Sequence, residues 1–141
     1  MDFKPKGDVP MKKEILSYLE ENDLDDIKEI KISKEDVYVV RMNYYFDEVE
    51  VEGAEAYADA ECEEGNHDFG YYDDYFIPYL SDIAIDNVED IIRDLSEDLN
   101  LQYQLLSFDM DMEEYQYNTF VVAFYHEGLE FDLEDYITEI L

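Results

Sequence analysis

The segment from Glu48 to Glu64, EVEVEGAEAYADAECEE, decides how the chain is read. Glu48, Glu50 and Glu52 alternate with Val49 and Val51. After Gly53 the parity flips: Glu55, Asp59, Glu61 and Glu63 alternate with Ala54, Ala56, Ala58, Ala60 and Cys62, and Tyr57 joins the acidic side. A strand sends successive side chains to opposite faces. A glycine bulge adds one residue and absorbs a change of parity. One bulge at Gly53 would therefore hold every acid of the segment on one face, as a ruler of carboxylates about 6.7 Å apart. The segment also has a helical alternative, because Ala and Glu are good helix formers. Against it, Glu55, Asp59 and Glu63 would stack with like charge four residues apart. Strict alternation also fits no helical face, so the strand is expected. It is longer than the usual strand of about 3 to 10 residues, which implies a bend or two strands joined at the glycine.

Outside this segment the chain is dominated by charge. It has 141 residues with 40 acids against 9 bases, a net charge of −31. The imbalance is uneven. Residues 1–41 carry 8 bases and 11 acids, whereas residues 42–141 carry 29 acids and one base, Arg93. Solubility alone is met by a net charge of about 2 to 8 in a small domain. The excess points to a basic partner, bound cations, a high-salt habitat or drift. It argues against direct binding to nucleic acid or an anionic membrane. Hydrophobic content of 47%, with 14 Tyr and 8 Phe, supplies a core and sets the chain apart from disordered acidic sequences.

The length suits one domain over residues 1–141, with residues 1–8 as a loose arm. No apolar run approaches a membrane span, and the N-terminus lacks the apolar stretch of a secretion signal. With a single cysteine, Cys62, these features lead to an expected site in the cytoplasm of a bacterial or phage-infected cell.

Taken in order, Met11, Ile15, Leu16 and Leu19 mark an amphipathic helix to about Glu21. Ile30 and Ile32 suggest a short strand, and Val37 to Phe46, VYVVRMNYYF, is β-branched and aromatic and reads as a strand. It would form a hairpin with the acidic strand. Residues 65–81, GNHDFGYYDDYFIPYLS, read as a long loop rich in aromatic and acidic residues. Such loops are uncommon and usually functional or mobile. Asp82 to Asp86 suggests a short strand, Val88 to Leu99 a helix, Leu101–Met112 and Thr119–Tyr125 a second hairpin, and Leu133–Leu141 a last helix. The expected fold is a small single α+β domain: an antiparallel sheet with a bulged acidic strand and two to three helices. Helix, strand, strand occurs twice, which admits an αββ duplication.

Catalytic signatures are lacking. There is no phosphate loop, nucleophile elbow, Cys–His nucleophile pattern or Gly-rich dinucleotide turn. Asp109 to Glu114, DMDMEE, has Glu114 and Phe120 where a calcium loop needs Gly and Glu. Cys62, Glu64 and His67 form only a weak metal-ligand cluster. No catalytic residue, metal or cofactor is assigned.

In small size, extreme acidity and lack of catalytic motifs the chain resembles the phage-encoded nucleic-acid mimics of the anti-CRISPR and anti-restriction type. The resemblance is one of type and carries over no residue roles. It implies a non-catalytic inhibitor that occupies a groove evolved for phosphates, on a basic partner such as a nuclease or CRISPR effector. The acids expected to meet that partner are Glu48, Glu50, Glu52, Glu55, Asp59, Glu61 and Glu63, with Asp68, Asp73 and Asp74 on the adjoining loop. Tyr71, Tyr72 and Tyr75 would add aromatic anchors. The alternative is an acidic interaction or assembly domain of phage or bacterial origin without mimicry. The sequence leaves monomer and dimer open.

Overall fold

The β-branched run VYVVRMNYYF forms the middle of the sheet. In a computed structural model, which describes residues 11–62 and 70–140, Tyr38–Tyr45 is strand β2, between β1 (Asp25–Ile30) and β4 (Tyr117–Tyr125). Strand β3 (Gln102–Ser107) lies on the far side of β4, giving a four-stranded antiparallel sheet in the order β1-β2-β4-β3. The two central strands are apolar on both faces because both faces are covered. Tyr38, Val40, Met42, Phe120, Val122 and Phe124 pack under α1 (Lys12–Glu21) and the C-terminal part of α3 (Ile77–Leu99). Val37, Val39, Val121 and Ala123 face the C-terminal segment, where a 3-10 turn (Leu133–Tyr136) leads into α4 (Ile137–Ile140) and buries Leu133 and Ile140. Gln104 fixes that segment: its side-chain carbonyl accepts from the Leu133 amide at 2.8 Å, and its amide group donates to the Phe131 carbonyl at 2.6 Å.

The acidic segment that reads as a bulged strand is instead helix α2, Glu48–Glu61. Its start is fixed by a capping box. Asp47 Oδ1 accepts from the Glu50 amide at 2.7 Å, and Glu50 Oε1 accepts from the Asp47 amide at 2.9 Å. A cap contributes about 1 kcal/mol, whereas each like-charge pair four apart costs only about 0.2–0.5 kcal/mol. Burial of Ala54 and Ala58 adds to the helical side. Gly53 is no bulge; its backbone is helical, and the sheet's irregularity falls in β1 between Asp25 and Lys28. There Asp26 takes a left-handed φ of 55° and accepts from the Tyr45 hydroxyl at 2.5 Å and the Asn43 amide group at 2.9 Å.

Two further expectations change. Residues 70–81 of the expected loop are helical: a π-helix, Tyr71–Phe76, runs into α3, which also absorbs the strand expected at Asp82–Asp86. Among the described residues the fold is thus α+β with a four-stranded antiparallel sheet and four α-helices, not two to three.

The two αββ units sit side by side, with β1 and β3 at the edges and β2 and β4 at the centre. Their helices end in the same way. After α1, Asp23 is left-handed (φ 64°) and the Leu24 amide reaches back to the Leu19 carbonyl at 3.2 Å. After α3, Asn100 is left-handed (φ 57°) and the Leu101 amide reaches back to the Ser96 carbonyl at 2.9 Å. Both are Schellman caps, and both following leucines are buried. Asp and Asn tolerate the left-handed region better than other residues with a Cβ.

Candidate partner-binding surface

Helix α2 lies against the π-helix and the first turns of α3 through its smallest residues. Ala54 and Ala58 are fully buried with Tyr71, Phe76, Ile77 and Leu80. A Cβ built on Gly53 would stand 3.1 Å from the Tyr79 hydroxyl. Tyr57 stacks on Tyr79 at 5.3 Å and meets Tyr75 edge-on at 6.3 Å. This packing turns the acids outward. Glu48, Glu52, Glu55 and Asp59, at spacings of four, three and four, share one helical face, and all are exposed, as is Glu61.

Glu50 is different. Its Oε1 closes the capping box and its Oε2 accepts from the Tyr44 hydroxyl at 2.6 Å. Asn87 on α3 donates to the same hydroxyl at 2.7 Å. Burial first, then the hydrogen bond to Glu50, pushes the Tyr44 phenol up to about 12. Glu50 is therefore a junction between β2, α2 and α3, and both its oxygens are engaged within the fold.

Asp73 and Asp74 are exposed on the π-helix. Tyr71, expected as an anchor, is 1% exposed. Burial, followed by a hydrogen bond with Asp59, pushes its phenol up to about 12. Tyr72 and Tyr75 are half-buried. Glu63 and Asp68 lie outside the described residues, as do Glu64 and His67 of the weak metal-ligand cluster.

The larger acidic surface was not singled out from the sequence. Helix α3 carries Asp82, Asp86, Glu89, Asp90, Asp94, Glu97 and Asp98, all exposed, opposite its buried Ala84, Val88, Ile92 and Leu95. The one base on this helix, Arg93, is ion-paired with Asp90. The signal was available: acids recur every three or four residues, offset from apolar residues with the same period. Bases cluster elsewhere, on α1, β1 and their surroundings, where Lys12 and Lys31 both reach Glu29, at 3.2 and 3.0 Å.

No protein-family model matches the sequence, and no curated protein or solved structure matches it.

Among the described residues no group of three or more His, Cys, Asp or Glu is placed to hold a metal ion. No described helix is long and apolar enough to cross a membrane.

Proposed function

We propose that the protein is a non-catalytic binding module whose helix-borne carboxylates occupy a basic, nucleic-acid-binding groove on a partner protein, in the manner of an anti-CRISPR or anti-restriction inhibitor. The observation that supports this is the outer face of α3. Its 23 residues extend for about 34 Å, close to one turn of duplex DNA, and it presents seven carboxylates with a single arginine. The acids of α2 and the π-helix lie on elements packed against its first turns. A fixed array of this kind meets lysines and arginines without the reorganisation a disordered acidic tail would need. The residue set shifts accordingly: Glu48, Glu52, Glu55, Asp59, Glu61, Asp73 and Asp74 remain, Glu50 leaves, and the acids of α3 join. The test is competition. A candidate nuclease is titrated with the protein in the presence of excess duplex or guide RNA, across ionic strength. Displacement by nucleic acid and a steep loss of affinity with salt support the reading; salt-independent binding overturns it.

A second reading, an assembly module, draws on β3. This edge strand, QYQLLS, carries no charge, whereas the opposite edge, β1, is charged and bulged as protected edges usually are. Sedimentation of the purified protein at high and low salt separates the two readings.

A further inference from the structure

We propose that a small aromatic cavity beside the acidic face of α2 is a receptor for one arginine side chain of the basic partner. The inference rests on the binding reading above. Among the described residues the cavity is lined by Glu55, Tyr71, Tyr72, Phe76 and Tyr115 and holds about 140 Å³. Small-molecule sites run to about 300–1,000 Å³, so this one fits the end of a single side chain.

The walls select what that side chain is. Tyr72 and Phe76 meet edge-on at 5.3 Å, Phe76 and Tyr115 edge-on at 4.9 Å, and Tyr72 and Tyr115 stack at 6.3 Å. Ring faces attract a cation within about 6 Å of their centroids. Glu55 lies at the rim: its backbone carbonyl accepts from the Tyr71 hydroxyl at 3.4 Å, and its exposed carboxylate is one side chain's reach from the mouth. Aromatic faces with one carboxylate match guanidinium, which stacks flat on rings and pairs with a carboxylate through a planar fork. An ammonium can do only the first part, as a point charge.

The backbone bears independently on the same place. Residues 71–76 form a π-helix, whose hydrogen bonds close over five residues: the Ile77 amide reaches the Tyr72 carbonyl. Such turns are rare and frequently found at functional sites. Here the wider turn stacks Tyr71 on Phe76 at 6.2 Å, with Tyr72 beside both. Tyr115 enters from the connection between β3 and β4 and packs against Phe76 and Tyr72.

Charge complementarity decides the source of the arginine. The chain has two arginines, Arg93, held by Asp90, and Arg41 in strand β2. With a net charge of −31, a second copy is repelled. The occupant is an arginine of a basic protein.

The full chain is titrated at constant ionic strength with ethylguanidinium, with its neutral isostere ethylurea and with n-butylammonium, while the aromatic NMR signals of Tyr72 and Tyr115 are followed. Saturable shifts are expected with ethylguanidinium and none with ethylurea. Glu55→Gln should weaken the binding about three- to tenfold. Tyr115→Leu, which retains apolar bulk, should abolish the saturable shifts. The absence of saturation in the wild-type protein, equal response to ethylurea, or equal affinity for butylammonium overturns the proposal, and none of these depends on a variant folding. If ethylguanidinium binds but nucleic acid never competes with any partner, the cavity stands and the mimic reading falls. If competition is seen but Glu55→Gln and Tyr115→Leu leave partner binding unchanged, the mimic reading stands and the cavity falls.

Discussion

Gly53 of α2 lies directly against Tyr79 of α3, so that a Cβ at residue 53 would meet the Tyr79 hydroxyl at 3.1 Å and the next ring atoms only at 3.6 and 3.7 Å. The obstacle is thus one oxygen. Replacing a mid-helix glycine by alanine gains about 1 kcal/mol of helix propensity. With Tyr79 stacked on Tyr57, that gain is offset by displacement of the ring. Gly53→Ala is therefore expected to change stability little in the wild type and to stabilise by about 1 kcal/mol in a Tyr79→Phe background. Denaturant melts of the four proteins of this cycle give the answer; an equal effect in both backgrounds would remove the steric account.

The Asn87–Tyr44–Glu50 chain makes a pH prediction. The Tyr44 phenol is raised to about 12, against about 10 in an unfolded chain. A group whose pKa is raised by folding contributes stability that is complete below its unfolded pKa and is lost as pH climbs through the folded value. The loss attributable to Tyr44 therefore falls between about pH 10 and 12. Tyr44→Phe should cost about 1 kcal/mol near neutrality and should flatten the fall in stability across the alkaline window. Urea melts at pH 7, 10 and 11.5 measure both; an unchanged alkaline slope in the variant would place the titration elsewhere.

Salt should stabilise the fold. Residues 42–141 carry 29 acids and one base, and α3 alone exposes seven carboxylates. Counterions screen such repulsion beyond about 10 Å at 0.1 M. The melting temperature should be higher in 0.5 M than in 0.02 M sodium chloride. A flat or falling dependence would mean that the acids are neutralised within the fold.

The capping box predicts where α2 is vulnerable. Asp47→Ala removes the acceptor for the Glu50 amide and should cost about 1 kcal/mol, with the loss of protection from hydrogen exchange concentrated in residues 48–52. Glu48→Gln, on the same turn but exposed and outside the box, should stay within about 0.5 kcal/mol of wild type.

On the partner side, exposed pairs are each worth roughly 0–1 kcal/mol, so single neutralisations along α3 should be nearly silent. Reversing Asp86, Glu89 and Asp94 together to lysine should abolish binding while leaving the far-ultraviolet circular dichroism unchanged. Full affinity in that triple variant would exclude α3 from the interface.

The sheet centre and the start of the C-terminal helical segment were legible because their signals are local, although that segment is a 3-10 turn and a four-residue α-helix rather than one helix over 133–141. The run VYVVRMNYYF has no competing pattern, and Asp132, a residue type that favours helix starts, stands just before the C-terminal turn and accepts from the Glu134 amide at 3.1 Å. The acidic segment misled because alternation of Glu with Val and Ala satisfies a period of two in composition, while Asp47 and Glu50 already spell the capping box that starts a helix. Like-charge repulsion counts against the helix, but per pair it is smaller than the contribution of that cap. Tyr71 could not be placed from sequence: a tyrosine among aspartates reads as a surface anchor, and only the packing of Ala54 and Ala58 makes room to bury it. Tyr115 carries no local signal at all, since its partners come from the π-helix far away in the chain.

The order β1-β2-β4-β3 also fixes where folding is slow. Each hairpin, β1 with β2 and β3 with β4, closes over a short connection. The central seam does not: Tyr38 must find Phe124, and Tyr45 must find Tyr117, across all of α2 and α3. Loop-closure entropy is lost at that seam before its contacts return anything, and high contact order slows folding accordingly. The acids of α2 and α3 lie within the very loop that has to close. Their mutual repulsion expands the unfolded chain and sets the two halves apart, so the same charges that present a surface to a partner act as a brake on the protein's own assembly, one that dissolved salt releases.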